Sequence, residues 1–444
     1  MALSGIQIYK LLPQTNCKDC GFPTCLAFAM KLAAKQVELS ACPHVSEAAQ
    51  EQLSEAAAPP VRPITLKSNG HEVKAGSEVV LFRHEKTFYS PPGLFLRVRD
   101  TESPEAIKAK VQPAEAFEVE YVGLPLSIDG FVIQAEGGDF PASVEAVREV
   151  SQRPLILIGD AKTLKAGLNG DGSGEKLLLG HATQENWQEM AALAKEKGAA
   201  LSIQADSLDE LVALSNHVKE SGVEDIVLTP TQRHLHGTLI ANTVSRRLAL
   251  KKTFRSLGYP ILNFPGDLGD PAEEVMAAAQ AIGKYGSFIV MDHFDPATTY
   301  PLLVLRKNIY TDPQKPIQVQ PGLYEVNDPK PEDPVLVTTN FSITYFSVAN
   351  EVEGAGLPAW LLVTDAEGMS VLTAWAAGKF DAERIAKAVK AFDVSDKVSR
   401  KQIVLPGHVA VLSGELEEEL PGWEVRVGPR EAVDLPAYMK QALA

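Results

Sequence analysis

The chain has 444 residues, 22% of them charged, and a formal net charge of -15 at pH 7. That balance argues against a nucleic-acid binder, because phosphates are repelled without a concentrated basic patch and the sequence holds none. No apolar run is long enough to span a bilayer, and Met1-Ala-Leu-Ser4 lacks the basic and apolar regions of a secretory signal, so a cytoplasmic, reducing location is expected.

Residues 1–58 read as a small domain built around cysteine. Ser4 and Gln7 make a capping box for a short helix with Ile6, Tyr9 and Leu12 facing inward, and Pro13 ends it. Cys17, Cys20, Cys25 and Cys42 are the only four cysteines, spaced C-x2-C-x4-C-x16-C. Three donors on one loop and a fourth returned by a helix suit an iron–sulfur cluster. Zinc also takes four thiolates, but more often from two separate C-x-x-C knuckles. A second helix is expected from about Thr24 to Leu39, packing through Leu26, Met30, Ala33 and Val37, with Cys25 in its first turn, where the helix dipole favours an anion.

Residues 59–99 are expected to hold a linker and a β-hairpin. Ala56 to Pro63 is proline-rich and stiff, serving either as a tether for a mobile cluster domain or as a spacer. Glu78–Arg83 and Leu94–Arg99 read as strands around the Pro-Pro-Gly turn. From 100 to 312, apolar runs alternate with amphipathic stretches. The runs are Phe117–Val122, Phe131–Ala135, Leu155–Gly159, Lys176–Gly180, Ala200–Gln204, Asp225–Leu228, Pro260–Phe264 and Phe288–Met291. Eight such units predict a TIM-like (β/α)8 barrel, with a doubly wound open sheet as the alternative. Glu136, Asp160, His181, Gln204, Asp206, Thr229, Asp267, Asp292 and His293 fall at strand ends, where a barrel places its chemistry. His234 and His236 lie in a loop. No metal-binding pair is evident, Asn169 to Gly174 lacks the Lys-Ser/Thr of a P-loop, and the barrel reads as scaffold.

A Pro-rich linker is expected over 313–334. From 335 to 444, four strand–loop–helix units predict a small open α/β domain with a parallel sheet. Its strand-end loops carry Thr338-Thr339-Asn340, Asp365 to Ser370, Pro406-Gly407-His408 and Gly428-Pro429. In such sheets a ligand lies at the strand ends, at a topological switch point, although caps and turns use the same residue types.

The segments Asn16–Met30, Cys42-Pro43 and Val337–Tyr345 resemble the large (gamma) subunit of the corrinoid/iron–sulfur protein of the acetyl-CoA (Wood–Ljungdahl) pathway, part of acetyl-CoA decarbonylase/synthase complexes. The resemblance covers essentially the whole chain. It implies an α/β multidomain fold: an iron–sulfur domain, a TIM-like barrel and a Rossmann-like cobalamin-binding domain. Cys17, Cys20, Cys25 and Cys42 become the [4Fe-4S] ligands. Thr338, Thr344, Gly368, Met369, Ser370, Val371, Gly407, Gly428 and Pro429 become the expected corrinoid contacts. No D-x-H-x-x-G motif occurs, in keeping with a cobalamin-type corrinoid held base-off without a protein histidine. The implied activity is that of a methyltransferase-class methyl carrier. It accepts a methyl group on cobalt(I) from methyltetrahydrofolate, through a methyltransferase, and donates it to acetyl-CoA synthase. The cluster then reactivates cobalt(II). Implied partners are a small (beta-type) subunit forming a heterodimer, that methyltransferase, acetyl-CoA synthase, and a low-potential electron donor such as ferredoxin. Two alternatives stay open: a barrel that is itself a methylpterin methyltransferase, or a cluster-bearing oxidoreductase with a nucleotide in the C-terminal domain.

Overall fold

The computed structural model describes residues 5–33, 37, 39–46, 49, 53, 59–168, 174–313, 315 and 317–443. The chain divides into two compact units, residues 1–117 with 128–310, and residues 118–127 with 311–444. The expected cap at Ser4, residues 34–36 and 38 of the expected second helix, linker residues 56–58 and the glycine-rich stretch 169–173 lie outside the described residues.

The first unit opens with the helices Gly5–Leu11 and Cys25–Ala33, whose shared core holds Ile8, Leu12, Cys25, Phe28 and Ala29. Turning Cys25 inward brings the positions three and four residues later with it, so Phe28 and Ala29 are buried. Leu26 and Met30, expected on that face, stand exposed, and so does Ile6. Nor does the far end of the linker hang free. Pro59 O accepts from Arg255 Nη1 at 2.7 Å, and Arg62 N donates to Gly258 O at 2.9 Å.

Strands β1 (Ile64–Ser68) and β2 (His71–Ala75) pair antiparallel across Asn69-Gly70, both at positive φ, as a two-residue primed turn requires. Ile64, Leu66, Val73 and Ala75 join Phe95, Ile156, Leu178 and Phe288 in one apolar cluster, so this hairpin plugs the N-terminal end of the barrel. The hairpin expected around Pro-Pro-Gly does not form. The buried Glu78 carboxylate accepts the amides of Tyr89 and Ser90, which takes that backbone away from strand pairing. β3 (Gly93–Arg99) is instead the first barrel strand, so the barrel starts before residue 100.

After the helix Pro104–Ala116 comes a second small hairpin, β4 (Val119–Tyr121) and β5 (Leu124–Leu126), which belongs to the second unit. The run Phe117–Val122 is therefore not a barrel strand. Val122 and Gly123 both have positive φ and close another primed turn. For a β-branched residue that conformation is strained, and burial of Val122 beside Leu361 and Val363 offsets it.

The barrel continues with β6 (Gly130–Gln134), β7 (Leu155–Ile158), β8 (Leu178–Ala182), β9 (Ala200–Ala205), β10 (Ile226–Pro230), β11 (Leu262–Asn263) and β12 (Phe288–Met291). With β3 they make eight parallel strands in consecutive order, nearly closed, β10 and β11 joining through the Leu228–Ile261 bridge. Each strand leads into a helix, several opened by a side-chain cap followed by proline: Ser103-Pro104, Asp270-Pro271 and Asp295-Pro296.

In the second unit β13 (Gly322–Val326), β14 (Val335–Thr339), β15 (Ala359–Thr364), β16 (Gln402–Leu405) and β17 (Glu424–Val427) form one sheet in the order β13-β15-β14-β16-β17. Four strands are parallel and β13 is an antiparallel edge. The stretch 313–334 is thus not purely a linker: its prolines flank a strand rather than enter it. Helices cover both faces. Leu336, Leu361 and Val363 pack with Val352 and Leu435 on one side, and Val337 and Leu362 pack with Ile385 and Val389 on the other.

Because Val122 packs wholly within the second unit, Val122→Ala should destabilise that unit by about 2 kcal/mol. Hydrogen exchange should quicken in β13–β15 and stay unchanged in barrel strands β6–β9. Faster exchange in the barrel instead would contradict this assignment of the hairpin.

Candidate functional site

The cysteine loop is shaped by backbone conformation. Gln14, Asn16, Lys18 and Gly21 all have positive φ, and Gly21 N donates to Lys18 O at 2.8 Å. Left-handed residues close together turn successive amides toward one concavity, which suits an anionic occupant. Asn16 Oδ1 accepts from Cys25 N at 2.9 Å and so caps the helix that carries the third cysteine. All four thiols are free; Cys25 and Cys42 are buried, Cys20 is half-buried and Cys17 exposed. Cys20, Cys25 and Cys42 belong to the same small core. Four unpaired thiols within one small region, three of them in one core, fit thiolate ligation. Beside Cys17, the His44 and Asp19 side chains meet at 2.6 Å. That hydrogen bond, then one from Cys17, holds the exposed Asp19 carboxyl below its ordinary range.

In the second unit the strand order reverses at β14, which lies between β15 and β16. At the C-terminal ends of these strands is an open cleft of about 300 Å³. Of the residues expected here, Thr338, Thr344, Ser370, Val371, Gly428 and Pro429 line it. Thr338 is 1% exposed and its hydroxyl has no hydrogen-bond partner among the described residues. Gly368, Met369 and Gly407 do not line the cleft. Gly368 sits at φ +72° with its amide donated to Asn340 Oδ1, and Met369 packs against the core that holds Val371 and Ile385. Gly407 serves a close approach: a Cβ there would lie 2.6 Å from Gly428 O. Its absence lets the β16 and β17 loops meet, with Gly407 N donating to Pro429 O at 2.9 Å.

Sequence reasoning missed two parts of this site, the helix face beside Thr344 and the Arg430-Glu431 pair; His408 and Asn340 it placed in the strand-end loops without giving them a role. Ile343, Ser347 and Val348 line the cleft beside Thr344, a helical i, i+1, i+4, i+5 face that the spacing after β14 could have revealed. His408, Arg430 and Glu431 also line it. Asn340 is a buried clamp, its Oδ1 accepting the amides of Ala366 and Gly368 at 2.9 Å each.

The barrel mouth gathers several of its strand-end candidates into an ionic network. Arg97, only 3% exposed, bonds Asp292 at 2.7 Å and Asp267 at 2.6 Å. Arg99 bonds Asp292 and Glu136, and Arg233 bonds Asp267. Burial alone would raise the Asp292 carboxyl, but Arg97 and Arg99 outweigh it and hold it below the ordinary range. His293 is taken up by buried Glu274 at 2.6 Å, and Asp160 is a helix cap. Gln204 is half-buried at the end of β9, and Thr229 bonds Ser202 at 2.7 Å. His181 Nδ1 meets Ser202 Oγ at 2.8 Å; burial, then the positive field of Arg233, pushes its pKa down to about 3. Asp206, His234 and His236 line a separate shallow cleft at the start of the helix Leu235–Lys252.

His181 gives a pH signature. Between about pH 6.5 and 3 the unfolded chain binds a proton at this residue and the folded chain does not, so stability falls as pH falls through that window. His181→Gln should remove up to one proton from the uptake on unfolding, measured from the slope of unfolding free energy between pH 6.5 and 4. An unchanged slope would refute it.

Residues 63–439 match the family model described as CO dehydrogenase/acetyl-CoA synthase delta subunit. Residues 12–44 match a shorter model for an Fe-S cluster. The corrinoid/iron-sulfur protein large subunit of Moorella thermoacetica is 43% identical over 448 aligned positions, covering all of both chains. The acetyl-CoA decarbonylase/synthase complex gamma subunits of Methanopyrus kandleri and Archaeoglobus fulgidus are each 34% identical, over 99% of this chain and 98% of theirs. With cysteine loop, barrel and C-terminal sheet all inside these matches, the chain belongs to the family of corrinoid/iron–sulfur protein large subunits and acetyl-CoA decarbonylase/synthase gamma subunits.

Proposed function

We propose that the chain is a corrinoid methyl carrier of the acetyl-CoA pathway. The observation that carries this reading is the cleft at the β14/β16 switch point, with the buried Thr338 hydroxyl, unpartnered among the described residues, in its wall. A cleft of about 300 Å³ holds part of a corrinoid, not its macrocycle. Thr338, Thr344, Ser370 and the close-set Gly428-Pro429 loop would receive the polar appendages. Ile343 and Leu372, exposed on the lining, would support the apolar ring edge. When bound, the corrinoid supplies a cobalt centre able to take and release a methyl group. The chain's share is to place the ring and set its surroundings. His408 lines the cleft but faces Glu431 at 3.8 Å and stands outside any D-x-H-x-x-G motif, so we assign it to the wall and read the corrinoid as base-off.

Cys17, Cys20, Cys25 and Cys42 would hold the [4Fe-4S] cluster, which supplies single electrons at low potential. The loop's left-handed residues give it the tight curvature a cluster would need, and the buried Cys25 and Cys42 would keep two ligand positions from water. The implied partners follow from the reading: a small subunit, a methyltetrahydrofolate methyltransferase, acetyl-CoA synthase and a ferredoxin-like donor. Against a methylpterin site in the barrel, the Asp267 and Asp292 carboxylates a pterin would need are already engaged by Arg97, Arg99 and Arg233. Against a nucleotide-dependent oxidoreductase, the loop leaving β14 contains no glycine for close approach of a pyrophosphate.

Two variants test the reading. Thr338→Val keeps the shape but removes the hydroxyl, and should weaken corrinoid retention about five- to tenfold. Unchanged occupancy after dialysis would remove Thr338 from the site. Cys20→Ala should lower iron content while leaving corrinoid in place. Methyl transfer should then survive in protein chemically reduced beforehand and fail with only a protein electron donor. Full iron in that variant, or failure in both preparations, would sink the division of labour.

A further inference from the structure

We propose that Cys17, Asp19 and His44 form a binding site for one divalent transition-metal ion of the ferrous or zinc type, used when the cysteines hold no cluster. The proposal rests on the cluster reading only through Cys17, which the two uses share. The donor atoms of these three side chains all lie within 4.8 Å of one another. Local backbone brings them together. The turn closed by Gly21 N and Lys18 O, with Lys18 at φ 72°, sets Cys17 and Asp19 on one face, and Cys42-Pro43 returns His44 across them.

Exposure separates this face from the rest of the loop. The His44 and Asp19 side chains are 49% and 53% exposed and Cys17 is exposed, whereas Cys25 and Cys42 are buried. An ion arriving from solvent therefore meets this trio before it meets the inner thiols. A thiolate, an imidazole and a carboxylate are a borderline donor set. They suit Zn²⁺ and Fe²⁺ better than Mg²⁺ or Ca²⁺, which take oxygen. Three protein donors leave a fourth position for water, the pattern of an open site. On binding, the ion takes the place of the Cys17 thiol proton, which passes to water, with no change of oxidation state. Because Cys17 cannot serve both arrangements, an ion held here excludes the four-cysteine one. Zinc at this face would block cluster assembly.

The test uses the full chain, stripped of metal by a chelator under anaerobic conditions and titrated with Co²⁺ as the probe. Expected is one ion per chain with a thiolate-to-cobalt absorption band that disappears in Cys17→Ser. His44→Ala and Asp19→Asn should each weaken binding at least about tenfold. Both residues are exposed, so these variants keep the fold, which far-ultraviolet dichroism verifies. Cys20→Ser should bind as the wild type does. Binding that is lost in Cys20→Ser but untouched by His44→Ala would place the ion on the thiols alone and overturn the proposal, as would the absence of any thiolate band. Iron and sulfide in the same protein before stripping report on the cluster separately. Their absence would end that reading without touching the Co²⁺ result.

Discussion

Strands packed on both faces leave little room for polar side chains along their length, and that constraint arranges both units. Where Phe131, Ile133, Leu155 and Leu157 fill one side of the barrel strands, Val132 and Ile156 fill the other. Groups that hydrogen-bond or ionise are displaced to the strand ends. The two sheets then treat their ends differently. The barrel mouth carries charge, and Arg97, Arg99 and Arg233 are matched by Asp267, Asp292 and Glu136. A desolvated ion pair stripped of one partner is costly, so such a mouth resists any ligand that must displace an arginine. The C-terminal sheet presents Thr338, Thr344 and Ser370 instead, and the buried hydroxyls of Thr338 and Thr339 have no partner among the described residues. Neutral donors of that kind can accept a large, mostly uncharged ligand without breaking an ion pair.

Much of this was legible in the sequence, and the failures have physical causes. Seven of the expected apolar runs coincide with barrel strands, because a strand buried on both sides has to be a short, continuous apolar run. Phe117–Val122 instead alternates apolar residues with Glu118 and Glu120, the pattern of a half-exposed strand, and it folds as a hairpin closed by the Val122-Gly123 turn. Leu94–Arg99 reads as a hairpin strand because proline and glycine before it imitate a turn, yet it pairs with β6 and β12 in the barrel. The true hairpin carries Asn69-Gly70, the stronger turn signal of the two. Within the cleft, sequence placed hydroxyls and glycines at strand ends correctly. It could not tell a lining residue from a supporting one: Gly368 and Gly407 shape loops through backbone approaches that appear only once the strands are neighbours.

The cysteine loop makes the same point at smaller scale. Spacing singled out four thiols, and burial grades them, from Cys17 at the surface to Cys25 and Cys42 inside. That gradient depends on which face of the helix Cys25–Ala33 turns inward. The amphipathic pattern favoured Leu26 and Met30, whereas the orientation of Cys25 selected Phe28 and Ala29.

The hairpin β4–β5 has a consequence for how the protein can be dissected. The backbone passes between the two units three times, after residues 117, 127 and 310. A protease or a gene truncation acting at 310 would therefore not liberate an intact C-terminal unit; it would leave Tyr121 and Val122 behind in the other fragment. During synthesis the order is reversed. The hairpin emerges from the ribosome long before Phe346, against which Tyr121 stacks at 6.3 Å between ring centroids. Until the strands of the second unit are made, that apolar surface has no partner in its own unit.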